Sequence, residues 1–167
     1  GKGERARIAL MKTRSLLVAA LAASTLPLSA QQSAPFTVAE TGRGYASLQD
    51  AVDAIGGGEG TVMFAPGTYN VCAVQRAGRI TYRASQPGKS ALSGVACEGK
   101  GALVLGGDSA TVIGLVFSHI AVPDRNGAGI RLESGELAVT QSWFRDSEQG
   151  ILTAHDPNIR LRIDKST

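Results

Sequence analysis

Apolar and polar residues change their spacing once along this 167-residue chain. In "YASLQDAVDAIGGG", Leu48, Ala51, Val52 and Ile55 fall at i, i+3, i+4 and i+7, on one side of a helix. Ser47 stands at the N-cap, Asp50 takes the capping-box position three residues later, and Gly56, Gly57 and Gly58 end the element. The spacing predicts one short helix whose apolar face must cover something.

After Ile55 the helical period does not return. "GTVMFAPGTYNVCAV" predicts a strand at 61–64, a turn at Pro66-Gly67 and a second strand over 69–74. Further short strands are predicted at 80–83, 102–105, 111–117, 130–132, 137–144, 151–153 and 159–163, and "PFTV" at 35–38 reads as another. Gly, Asn, Asp and Ser lie between them.

Internal repeats give these strands an arrangement. "VIGLVF" (112–117) aligns with "VTQSWF" (139–144) and with "IDKST" (163–167), at offsets of 27 and 24 residues. Gly129-Ile130 aligns with Gly150-Ile151 at an offset of 21. Two interleaved series of this kind imply a coil with several short strands per turn, stacked in parallel, with insertions such as "AVPDRNGAG" (121–129) at its corners. An antiparallel sandwich is the alternative, but it predicts two-residue hairpins and no register between distant strands. A leucine-rich horseshoe lacks its Leu-x-x-Leu-x-Leu frame.

The amino terminus reads separately. From Met11, "MKTRSLLVAALAASTLPLSAQQ" places Lys12 and Arg14 before an apolar run from Leu16 to Ala23, then Pro27, Ser29 and Ala30. That is the pattern of a secretory signal peptide, too short for a membrane span. Cleavage is expected after Ala30, although Leu28 is larger than the usual residue there. Residues 1–10 read as an upstream extension, with Met11 the natural start. The mature chain is then expected in the periplasm or outside the cell.

Removing this segment changes the charge balance. Residues 1–30 hold five of the 17 basic residues and one of the 14 acidic ones, so 31–167 carry twelve and thirteen. A nearly neutral body with scattered cations loses the electrostatic basis for binding nucleic acid. The two cysteines, Cys72 and Cys97, lie in the exported part, where a disulfide is permitted.

The helix "SLQDAVDAI", the glycine break and "GTVMFAPGTYNV" together resemble the opening of pectin-lyase-like proteins. "NGAGIRLESGELAVTQSWFRDSEQGI" is similar to the rungs of right-handed β-helix repeat proteins. The resemblance covers about 36–167 and implies an all-β, right-handed parallel β-helix (a solenoid) with a short N-terminal capping helix. It bears on fold rather than reaction. On this reading 31–167 is the N-terminal part of a longer domain, cut within the third copy of a repeat. Cys72 and Cys97, 25 residues apart, would sit about one coil period apart, on neighbouring strands about 4.8 Å from each other. A bridge and two buried thiols in an inward stack are equally open.

Members of this fold that act on acidic polysaccharides use paired carboxylates, or a cation with a base. The Asn-x-Asp, Asp-Asp and Gly-His-Gly motifs of the hydrolases are absent, as is an Asp-rich cluster for calcium, so no metal or cofactor is expected. The remaining catalytic candidates are Arg145, Asp146 and Glu148 in "WFRDSEQGI", with His155 and Asp156 in "TAHDPN". One period apart, these corners would lie near each other on one face. The competing reading makes Asp146, Ser147, Asp156 and Asn158 turn residues bonded to their own backbone. His119 is expected to be half-buried. Phe144, aligned with Phe117, is expected to point inward, which leaves Trp143 outward or at a bend, the candidate platform for stacking sugar. The functions in view are a polysaccharide lyase or hydrolase, a non-catalytic adhesive surface protein, and a structural exported coil. Interaction with polysaccharide is the common expectation.

Overall fold

A computed structural model describes residues 33–167; the leader and start-site readings lie outside the described residues. The described part opens with a cover. Strands β1 (Phe36–Val38) and β2 (Arg43–Tyr45) form an antiparallel pair, followed by α1 (Leu48–Ile55). The Ser47 hydroxyl accepts from the Asp50 N–H at 3.2 Å, and Gly56 ends the helix at a φ of 58°. Leu48, Ala51 and Val52 are buried and Ile55 is half-buried, which is the face that the spacing picked out.

From Glu59 onward the chain visits three sheets, A, B and C, in rotation. The first circuit is β3 (Glu59–Phe64), β4 (Gly67–Tyr69) and β5 (Ala73–Gln75). The second is β6 (Arg79–Ala84), β7 (Ser90–Ser93) and β8 (Gly101–Leu105). The third is β9 (Ser109–Ile113), β10 (Leu115–Ser118) and β11 (Ala128–Leu132). The fourth is β12 (Glu136–Thr140), β13 (Trp143–Arg145) and β14 (Gln149–Thr153), and β15 (Arg160–Asp164) starts a fifth. Sheet A runs β15-β12-β9-β6-β3-β1-β2, sheet B β13-β10-β7-β4 and sheet C β14-β11-β8-β5. Every pairing between circuits is parallel. The protein is therefore mostly β, with parallel sheets and a single helix among the described residues.

The register follows the repeats. Val112, Val139 and Ile163 pair in one column of sheet A, continued by Tyr82 and Val62. Phe117 pairs with Phe144 in sheet B, and Ile130 with Ile151 in sheet C. Apart from Ile163, which is 52% exposed, these residues pack into the space between the three sheets, where Val62, Tyr82, Val112, Leu92, Phe117, Leu103 and Ile130 are fully buried. The Phe117 and Phe144 rings stack with centroids 5.0 Å apart and planes 6° apart, a contact worth about 1 kcal/mol beyond its buried area. Gly129 makes room for it, since a methyl there would come within 2.8 Å of Phe144 and 2.9 Å of Phe117. The glycine of the first Gly-Ile step thus has a packing cause.

Three predicted strands are divided. The segment 69–74 breaks at Asn70-Val71-Cys72, 111–117 at Gly114, and 137–144 at Gln141-Ser142. Gly114, Gln141 and Lys165 follow the registered positions Ile113, Thr140 and Asp164, and all three adopt left-handed φ values of 75°, 49° and 48°. One such residue redirects the chain from sheet A to sheet B without interrupting the apolar pattern. Gln141 and Lys165 carry no glycine signal, so the spacing alone could not mark the bend. Strands β2 and β7 were not foreseen; "RGY" and "SALS" are too short and too mixed to stand out.

The helix closes one end of the stack, packing on β1, β2, β3 and β5. Gln49 adds a specific seal at β5. Its side-chain Nε2 donates to the Val74 carbonyl at 2.8 Å and its Oε1 accepts from the Val74 N–H at 2.7 Å. One amide side chain thus takes the place of a neighbouring strand for the edge groups of Val74. Removing it with Gln49→Ala is expected to cost about 1–3 kcal/mol in urea unfolding; an unchanged midpoint would show that the seal is idle. Nearby, the Glu40 carboxylate accepts from the Thr61 N–H at 2.8 Å, a bond that holds its pKa below the ordinary 4.5. A depressed carboxylate pKa contributes stability above that value and loses it as pH falls through the folded one. Glu40→Gln should therefore narrow the gap in Tm between pH 6 and pH 3 relative to the parent chain.

Candidate functional site

The sequence candidates do not form one cluster. Arg145 ends β13 and Asp146 follows it at a left-handed φ of 50°. Across the same bend stands His119, also left-handed at 56°, with its Nε2 4.0 Å from Asp146 Oδ2. Both side chains are largely exposed, at 68% and 73%. His119 is thus not half-buried, because a left-handed residue at a bend turns its side chain outward. His155 and Asp156 lie beyond the far end of β14. A five-residue strand spans about 16 Å, so the Arg145 and His155 bends are separated by the strand between them. Asp156 Oδ1 accepts from the Asn158 N–H at 2.9 Å, the backbone-bonded turn weighed as the alternative.

Glu148 is engaged in holding a loop. Its Oε2 accepts from the N–H groups of Gly127 at 2.6 Å and Val122 at 3.2 Å, while Ser147 Oγ accepts from the Ile120 N–H. These bonds fasten the insertion between β10 and β11. Trp143 is exposed on the outer side of sheet B, in the column of Val116, Ala91 and Thr68. Its ring lies against Gly88, where a methyl would come 3.3 Å from it.

The charged groups that do meet are on the outer face of sheet C, and the sequence reading missed them. Arg76 contacts Glu98 at 2.8 Å, and Lys100 contacts Glu133 at 2.6 Å and Glu98 at 3.7 Å. Arg131 Nε lies 3.7 Å from Glu133 Oε1 and has no hydrogen-bond acceptor among the described residues. The chain of charges Arg76–Glu98–Lys100–Glu133–Arg131 alternates in sign and carries one excess positive charge. It flanks a shallow cavity of about 240 Å³ that includes Val74 and Val104 in its lining. These valines pair in the outward column Val74, Val104, Arg131, Leu152. Val104 is nonetheless only 1% exposed; long charged side chains readily cover apolar surface with their stems.

A short turn puts two of these charges in place. Cys97 and Gly101 exchange backbone bonds around Glu98 and Gly99, which have left-handed φ values of 55° and 63°. Cys97 is bonded to Cys72, with their Cα atoms 5.5 Å apart. Neither cysteine lies within a strand; Cys72 directly precedes β5, and the bridge ties the turn to the first circuit. Arg76, Lys100 and Arg131 are 24 and 31 residues apart and occupy different registered positions. They meet only because this turn folds back, so no periodic search could align them.

Electrostatically the centre is Lys100. The Glu133 carboxylate 2.6 Å away raises its pKa, helped by the Glu98 charge and opposed by partial desolvation and by Arg131. Among the described residues, no helix is long and apolar enough to cross a membrane, and no three His, Cys, Asp or Glu side chains gather as a metal site. Compared with family models, curated proteins and solved structures, the chain matches none.

A lysine with a raised pKa contributes its interaction below the ordinary 10.5 and loses it as pH climbs through the folded value. NMR titration of the Lys100 side chain should therefore place its midpoint above 10.5, and Glu133→Gln should lower it. A midpoint that Glu133→Gln leaves in place would remove Glu133 from this role.

Proposed function

We propose that this chain is an exported right-handed parallel β-helix of the pectin-lyase-like class, whose outer face on sheet C binds an acidic polysaccharide. The rotation of the chain through three parallel sheets and the helix over one end support the fold reading. The functional reading rests on one observation. Arg76, Lys100 and Arg131 come from the first, second and third circuits, so the cations are spread along the stack. A shallow charged site with one cation from each of three circuits suits an extended anionic polymer better than a compact small molecule.

Binding without chemistry is the better supported form. A base that removes the proton beside a uronate must give up its own proton readily. The carboxylates around Lys100 strengthen its hold on that proton, and arginine does not deprotonate in proteins. Glu98 and Glu133 both contact Lys100, which favours charge-neutralised partners over a separated acid and base. Lyase or hydrolase action is the second reading.

Affinity electrophoresis through polygalacturonate and through a neutral galactan tests the proposal. Retardation is expected in the acidic polymer alone and should weaken as salt rises. Lys100→Ala and Arg131→Ala should each reduce affinity by about tenfold, the loss of one charge-assisted contact. Equal mobility in both gels would overturn the reading, and release of unsaturated or reducing ends would put catalysis first.

A further inference from the structure

Four connections join sheet B to sheet C, and two of them are enlarged. The first and fourth circuits use three residues each, 70–72 and 146–148; the second uses seven, 94–100, and the third nine, 119–127. The nine-residue connection is fastened by Glu148 and Ser147. The seven-residue one carries Glu98 and Lys100, and it is fastened by the Cys72–Cys97 bond. The charged face therefore has a wall that one covalent link ties to the first circuit.

The other side-chain ties across the charged face are weak. Arg76 and Glu98 pair with side-chain exposures of 76% and 34%, and Lys100 and Glu133 with 40% and 26%. Ion pairs this open to water contribute little and are screened by salt. Within the turn, Cys97 N–H donates to Gly101 O at 2.8 Å and Lys100 N–H to Cys97 O at 2.9 Å. At its ends Gly94 N–H donates to Ser118 O and Lys100 O accepts from Ala128 N–H, both at 3.0 Å, which tie it to the third circuit, but none of these bonds reaches the first circuit. Glu98, a residue with a Cβ, is held in a left-handed conformation that an unanchored turn would leave. The strands on either side are secured independently, since β5 pairs with β8 and β8 with β11.

We infer that the Cys72–Cys97 disulfide is a redox control on the sheet C face: bonded, it fixes Glu98 and Lys100 over Val74 and Val104; opened, it frees them while the sheets persist. The reaction is thiol–disulfide exchange with a dithiol reductant. A reductant thiolate attacks one of the two sulfurs, the Cys72–Cys97 bond breaks, and a mixed disulfide forms. The second reductant thiol displaces it, so the reductant leaves as a disulfide and both cysteines become thiols. Two electrons and two protons pass to the protein. Both residues are half-buried rather than enclosed in the core. This control rests on the polysaccharide reading only for its consequence in binding; the mobility of the wall is separate.

The experiment follows the full chain, oxidised and dithiothreitol-reduced, by hydrogen–deuterium exchange and by polygalacturonate binding, with a thiol count of two certifying reduction. Exchange at 94–100 is expected to rise at least tenfold while β8 and β11 keep their protection, and affinity is expected to fall at least fivefold. Cys72→Ser/Cys97→Ser should behave like the reduced chain and ignore the reductant. Unchanged exchange at 94–100, or loss of protection throughout β8 and β11, would overturn the inference, the latter by making the bond a support for the whole fold. A loosened wall with equal affinity would overturn its effect on binding. A loosened wall in a chain that binds no polymer in either state would leave the control standing and remove the proposed function.

Discussion

Each circuit of backbone is paired to the next in register, and nearly everything else in the protein depends on that pairing. A short strand of three to five residues cannot bury its own apolar side or satisfy its own backbone groups. Here the next circuit does both, placing Val112 on Val139 and Phe117 on Phe144. Side chains of one column share one environment, so a column tolerates only residues that stack. Tyr82 in the Val112 column shows what departure requires. Its hydroxyl donates to the buried Gln75 Oε1 at 2.9 Å, and Gln75 Nε2 in turn donates to the carbonyls of Ala77, Gly78 and Ser109. Burial also pushes the Tyr82 hydroxyl pKa far up, so it stays a neutral donor.

The same pairing explains what could be read in advance. Columns leave a trace in the sequence because their members recur, which is why offsets of 27, 24 and 21 residues translated directly into registered pairs. The helix was legible from its own spacing and cap. Bends were not. Gln141 and Lys165 take the left-handed conformation that Gly114 takes, and nothing in their chemistry announces it. The charged face was the least legible feature. Its residues answer to a turn at 97–101 and to a disulfide rather than to the repeat, and the chemistry-bearing stretch "WFRDSEQGI" drew attention to bends that stay apart.

Stacking also separates support from function. Inward columns are constrained by packing, whereas outward positions and enlarged connections are free to vary. The cations of the first three circuits, the turn that carries Lys100, and the bridge from Cys72 to Cys97 all belong to that freer set. Binding of an extended anionic polymer on the sheet C face, as proposed, would take its rigidity from the scaffold and much of its charge from the connections.

The register itself is open to direct measurement. Thr61, Thr81, Thr111, Ala138 and Arg162 form one outward column of sheet A, so labels there should not disturb the core. Spin labels placed in pairs, one at Thr61 and the other at Thr111, Ala138 or Arg162, report the separations by pulsed electron resonance. In-register stacking requires the separation to grow by one strand spacing per circuit, about 4.8 Å, reaching about 19 Å for Thr61 and Arg162. Separations that fail to grow in equal steps along this column would contradict it.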